Sequence, residues 1–184
     1  MRLFVAISMA DSTVDQFSRF TGRLKSRADG LRWTAPESWH ITLQFLGETG
    51  ADTEACVVAR LREVHLPPVP VRFEGLGFFD RTGIFYAGVA VTPELLLLQR
   101  EVERATAQCG FVPEKRPFRP HITLARGRTE RQGCKFDALR ARIQQPPVFS
   151  GFTAPEFLLY ESFLGAGGAR YEVRERFALD GVRN

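Results

Sequence analysis

The sequence predicts an α+β fold: a bilobal molecule in which two pseudo-symmetric antiparallel sheets, flanked by helices, face each other around a central cleft. Three observations predict it. One tetrapeptide occurs twice, as His40-Ile41-Thr42-Leu43 and as His121-Ile122-Thr123-Leu124, 81 residues apart in a chain of 184. Each copy holds the same place in a strand-helix-strand-helix pattern, so the chain reads as one supersecondary unit used twice. The remaining segments alternate as strands do and are joined by turn residues, which adds antiparallel hairpins to the two units. No stretch of linker composition separates the halves, so residues 1–184 are expected to form a single bilobal domain.

The first unit opens on an apolar strand, Arg2 to Met9, and the second on a similar strand that begins at Ile84, 38 and 37 residues ahead of His40 and His121. A helix follows each. In the first, Ser12 and Asp15 have capping-box spacing, and Val14, Phe17, Phe20 and Leu24 form a stripe. In the second, Thr92 precedes Pro93 at the first helical position, Leu95, Leu98, Val102 and Ala105 share a face, and Gly110 supplies a stop. The histidine strands come next, with Ile and Leu alternating against His and Thr at the period of a half-buried strand. An amphipathic stretch then follows each one: Ala55, Val58 and Leu61 in the first unit, Phe136, Leu139 and Ile143 in the second. Pro67-Pro68-Val69-Pro70 and Pro146-Pro147 end them. Val71 to Phe79 and Ile84 to Val91 are joined by Asp80-Arg81-Thr82-Gly83, and Phe157 to Phe163 and Tyr171 to Leu179 flank Gly165-Ala166-Gly167-Gly168, as in hairpins.

Hydrophobic content of 44% and charged content of 25% are those of an ordinary soluble globular protein. The N-terminal apolar run is broken by Asp11 and nothing approaches transmembrane length, so a cytoplasmic location with no membrane partner is the expectation. Cys56, Cys109 and Cys134 are odd in number and lack paired ligand spacing. They are expected to be reduced, mostly buried thiols, with no zinc site. Trp33 and Trp39 read as core residues, and His65, between Val64 and Leu66 ahead of a proline break, as a surface or helix-end histidine.

The net charge is +4, and the excess gathers on Lys115, Arg116, Arg119, Arg126, Arg128 and Arg131, all within ten residues of His121 and opposed by Glu114 and Glu130. A basic cluster around a histidine favours an anionic ligand, either a phosphate or a nucleic-acid backbone. Two histidines and two threonines on facing strands suit displacement at phosphorus. The attacking and leaving oxygens lie in line on opposite sides of the phosphorus, so one neutral imidazole can accept a proton while one imidazolium donates. The threonine hydroxyls can hold the oxygens between them. This chemistry needs no metal and no cofactor, and the chain carries no H-E-x-x-H or comparable ligand motif.

The flanks narrow this further. Leu31-Arg32-Trp33 with Pro36-Glu37-Ser38-Trp39-His40-Ile41-Thr42-Leu43-Gln44-Phe45-Leu46-Gly47, and Pro117-Phe118-Arg119-Pro120-His121-Ile122-Thr123-Leu124-Ala125-Arg126, resemble the two H-x-T-x motifs of the two-histidine (2H) phosphoesterases. Within that superfamily they resemble the bacterial and archaeal RNA 2′,3′-cyclic phosphodiesterases, also called 2′-5′ RNA ligases. Met1-Arg2-Leu3-Phe4-Val5-Ala6-Ile7 and the tail Leu159-Tyr160-Glu161-Ser162 with Gly168-Ala169-Arg170-Tyr171 are similar to that family too. The resemblance implies hydrolysis of a 2′,3′-cyclic phosphate RNA end to a 2′-phosphomonoester. It also implies His40 as proton donor, His121 as proton acceptor, and Thr42, Thr123 and Arg126 as phosphate ligands. Strict alternation would turn Arg126 away from His121, so it can reach the cleft only at a bulge or strand end.

Arg116 and Arg119 are expected to contact the RNA backbone, Phe4 or Phe118 could stack on a terminal base, and a monomer is expected. Two other readings share these features. A 2′-5′ RNA ligase would replace water by a 5′-hydroxyl, and a non-catalytic RNA-end binding module would keep affinity without turnover. Intact histidines in both motifs oppose the second of these.

Overall fold

The computed structural model describes residues 1–26, 30–127, 136–143, 145–165 and 168–181. Its elements in chain order are β1 (Arg2–Ser8), α1 (Asp11–Leu24), β2 (Leu31–Trp33), a 3₁₀ turn (Pro36–Ser38), β3 (His40–Glu48), α2 (Ala51–Leu61), β4 (Val69–Val71), β5 (Phe73–Phe79), β6 (Ile84–Val89), α3 (Pro93–Ala107), β7 (His121–Gly127), α4 (Asp137–Arg142), β8 (Phe152–Ala154), β9 (Glu156–Gly165) and β10 (Gly168–Ala178).

Two sheets of four strands carry the fold, in the orders β10-β9-β1-β3 and β2-β7-β6-β5, and β4 pairs with β8 beside them. Every strand pairing among the described residues is antiparallel. The repeated unit is visible in the topology. The run β1, α1, β3, α2 corresponds to β6, α3, β7, α4, and β9 flanks β1 as β5 flanks β6. The fourth strands break the symmetry, because β10 lies outside β9 whereas β2 lies outside β7. They also cross between the halves: β2 leaves the first unit to join the second sheet, and β9 with β10 return to the first. The predicted α+β class with two antiparallel sheets is the fold observed.

Local chemistry explains most element ends. Thr92 caps α3, its Oγ1 accepting from the Leu95 amide at 3.2 Å, and Pro93 occupies the first turn. Gly110, at φ 91°, ends the turn beyond α3. The predicted capping box of α1 does not form: the helix starts at Ala10, without a side-chain cap, and Asp11 supplies the acidic group of the first turn. In α2 the buried face is Val57 and Leu61, with Ala55 exposed. In α4, only six residues long, Leu139 is buried and Phe136 and Ile143 fall at the caps. The expected strand from Val71 to Phe79 divides at Arg72, its first part going to β4 and the rest to β5.

The buried side chains form a continuous cluster that includes Phe17, Ile41, Phe85, Leu98, Ile122 and Phe157. Each such side chain contributes about 1.5–3 kcal/mol through loss of apolar surface to water. Trp39 is part of this core, as predicted, and Trp33 packs against it.

The cysteine expectation is corrected. Cys56 on α2 and Cys109 just past α3 form a disulfide, with Cα atoms 5.9 Å apart. A separation of 53 residues hides their proximity, which arises because α2 packs against α3. Cys134, Arg128 and Arg131 lie outside the described residues.

Candidate active site

The two histidine strands repeat in detail. Ile41, Leu43, Ile122 and Leu124 are buried, whereas His40, Thr42, His121 and Thr123 are half-buried and line one cleft of about 730 Å³ between the sheets. Both strands then break alternation at the same place. Val5 pairs with Gln44 and Ala6 with Thr42, so Leu43 is an extra residue on β3; Phe85 pairs with Ala125 and Tyr86 with Thr123, so Leu124 is an extra residue on β7. Two consecutive residues are therefore buried in each strand, and the next side chain returns to the cleft. In β7 that residue is Arg126. In β3 it is Phe45, which is 76% exposed and lines the same cleft. The bulge in β3 is tied down from behind, where the Thr106 hydroxyl on α3 donates to the buried Gln44 Oε1 at 2.7 Å.

Each histidine has the same backbone tether. Nδ1 of His40 donates to the Ser38 carbonyl at 2.8 Å, and Nδ1 of His121 donates to the Arg119 carbonyl at 2.9 Å. With a carbonyl holding the proton on Nδ1, Nε2 is the nitrogen left for the ligand in both rings. Aromatic rings fix the imidazoles from the sides. Phe4 and Tyr171 lie 4.8 and 4.9 Å from His40 between centroids, and Phe79 and Tyr86 lie 5.2 and 5.4 Å from His121. Gly77 makes room for one of these: a Cβ there would come within 2.2 Å of the Tyr86 ring.

Burial pushes His40 down to about 4, helped by the charges of His121 and Arg126 and opposed by its bond to Ser38. Burial also lowers His121, with a further lowering from Arg126 and an opposing effect from the bond to Arg119. Both rings are therefore biased toward the neutral imidazole at neutral pH, and an anion bound between them would raise the pKa of either one. This sets a pH signature. Because kcat/KM reports the free protein, its alkaline limb is expected below the ordinary histidine value of 6.5, while the limb of kcat, which reports the complex, lies at higher pH. A kcat/KM plateau that persists above pH ~8 would exclude an imidazolium donor.

All five residues assigned to proton transfer and phosphate binding meet in this cleft. Arg116 and Arg119 do not. They line an adjoining groove with Phe79, Phe118 and Lys115, where Glu103 and Glu114 also stand and where the Arg116 guanidinium is held by Glu114 at 2.6 Å. Among the described residues lining the histidine cleft there is no carboxylate. Phe4 is buried beneath His40 and so is no stacking platform; Phe45, not among the stacking candidates read from the sequence, is an exposed ring lining the cleft, 6.1 Å from Phe4 between centroids. His65 lies just past α2, outside the cleft.

Residues 13–162 match the family model of the 2′-5′ RNA ligase superfamily. The chain belongs to that superfamily. Three of its relatives are named RNA 2′,3′-cyclic phosphodiesterase. The protein of Archaeoglobus fulgidus is 33% identical over 175 residues, covering 94% of this chain and 97% of that one. That of Escherichia coli is 29% identical over 180 residues, with 97% and 96% covered. That of Geobacillus stearothermophilus is 32% identical over 97% of this chain, which spans 57% of the longer protein. Among solved structures, Escherichia coli LigT complexed with 3′-AMP superposes with a TM-score of 0.80 at 28% identity over 97% of both chains. The same protein complexed with phosphate gives 0.77 at 27% identity, again over 97% of both chains. Among the described residues no helix is long and apolar enough to cross a membrane.

Proposed function

We propose that the chain is an RNA 2′,3′-cyclic phosphodiesterase that opens a terminal cyclic phosphate to a 2′-phosphomonoester. The observation that supports this most is the pairing of two identically tethered histidines, each with a threonine on its own face, around a cleft sized for a nucleotide and lined by no carboxylate among the described residues. In the proposed reaction water attacks phosphorus as the bond to O3′ breaks. His121 takes the proton of the water and His40 gives one to O3′, so the net change is one water added and one ring opened. Thr42, Thr123 and Arg126 hold the phosphate oxygens as charge builds on them, and Phe45 stacks on the terminal base, a contact worth about 1–3 kcal/mol.

Arg119, and Arg116 where Glu114 releases it, contact more distant phosphates of a long or folded RNA. The protein works as a cytoplasmic monomer, without metal or cofactor. In a reducing compartment Cys56 and Cys109 would face each other as thiols.

The test is a short RNA bearing a 2′,3′-cyclic phosphate, with analysis of the phosphate position in the product. The expected product carries the phosphate on O2′, and EDTA leaves the rate unchanged. A 3′-phosphate would reverse the acid and base roles. Activity lost to the chelator and restored by a divalent ion would overturn the metal-independent mechanism.

A further inference from the structure

We propose that Arg2 and Arg32 form a second phosphate subsite in the cleft, which holds the phosphate on the 5′ side of the terminal nucleoside; this rests on the cleft being the site for a nucleotide end. Beyond the histidines the cleft continues to the far ends of β3 and β7, where Arg2 of β1, Arg32 of β2 and Arg126 of β7 line it. Arg2 is two residues from Phe4, the ring that packs on His40, and shares its face of the strand. That places it about 6.6 Å further along β1, a step of the size that separates successive phosphates in an extended strand. Arg32 is the register partner of Arg126. Its side chain also reaches the other sheet, since a Cβ on Gly168 would sit 4.0 Å from Arg32 Cδ.

Charge makes this arrangement informative. Like charges directly opposite on neighbouring strands destabilise a sheet, yet Arg32 and Arg126 face each other so, with no carboxylate lining the cleft among the described residues. Glu48, the register partner of Arg2, lies 3.7 Å from the terminal amino group instead. Several arginines elsewhere are matched, as Arg140 with Asp80, Arg174 with Glu54 and Arg176 with Glu156. Uncompensated guanidinium groups gathered in one cleft are a receptor for more anionic charge than one phosphate carries. The cyclic phosphate occupies O2′ and O3′, so the second anion has to come from O5′, at the other end of the same ribose.

The experiment compares adenosine 2′,3′-cyclic phosphate with the same compound carrying a 5′-phosphate. In the wild-type protein the 5′-phosphate is expected to lower KM by about tenfold with kcat little changed. Arg2→Gln and Arg32→Gln should each remove most of that gain while leaving the 5′-hydroxyl substrate unaffected. Arg32→Lys should keep part of it, and Arg119→Gln all of it. The subsite is overturned if the wild type shows no gain, or if the gain survives in the double variant. It is equally overturned if the gain is lost in Arg119→Gln instead, or if both substrates suffer alike. Calorimetric titration of the same proteins with adenosine 2′,5′-bisphosphate and adenosine 2′-monophosphate needs no turnover. If no cyclic substrate is hydrolysed, the proposed reaction fails, and the bisphosphate preference still decides the subsite by itself.

Discussion

Alanine in place of His40 or of His121 is expected to lower kcat for a cyclic-phosphate substrate by about 10²–10⁴-fold in each case, because each ring carries one of the two proton transfers. The double variant should fall only slightly below the worse single one, since residues that act on one transition state are not additive. Folding is expected to survive. The rings line the cleft, while the strands are anchored by Ile41, Leu43, Ile122 and Leu124 on the opposite face. The His40 ring is itself packed by Phe4 and Tyr171, so His40→Gln, which preserves much of that volume, provides the control for a cavity left by alanine. Turnover is measured beside affinity for a 2′-phosphate product. Near-wild-type turnover in either variant would overturn the proton-transfer assignment. Substitutions that leave both turnover and affinity unchanged would move the site elsewhere.

What could be read in advance follows from the range of the forces involved. The histidine strands, α3 with its Thr92 cap and the hairpin partners are written in periods of two and of 3.6 residues and in local turn chemistry, so the fold class and the cleft were legible. Three things were not. The exchange of β2 into the second sheet depends on pairing of Leu31 to Trp33 with β7, residues 125 to 127, and three residues carry no period. The disulfide depends on helix packing between α2 and α3. The start of α1 at Ala10 follows from the chain leaving β1, although Ser12 has the better side chain for a cap. Phe45 is an intermediate case. The two motifs align as H-x-T-x-x-F and H-x-T-x-x-R, and once a bulge is suspected to bring Arg126 inward, the same bulge in β3 points to Phe45.

Arg126→Ala is expected to reduce kcat/KM by about 10²–10³-fold, the cost of removing one preorganised donor from developing charge on oxygen. Register supports this size of effect. On an unbroken strand Arg126 would share the buried face of Ile122 and Leu124; the extra residue at Leu124 reverses the phase and brings the guanidinium to the cleft beside Thr123. Its charge is already felt there, since it lowers the pKa of both His40 and His121. Removing it should therefore do two things at once: weaken the hold on the phosphate and let both imidazoles retain their protons to higher pH. The alkaline limb of kcat/KM should move upward in Arg126→Ala and stay in place in Arg126→Lys, which keeps the charge but loses the bidentate fork and so recovers only part of the rate. A residue that merely supported the strand would not shift that limb. A full loss of activity with an unmoved pH profile would assign Arg126 to the architecture of β7, whereas a rate close to wild type would leave the two threonines as the only holders of the phosphate.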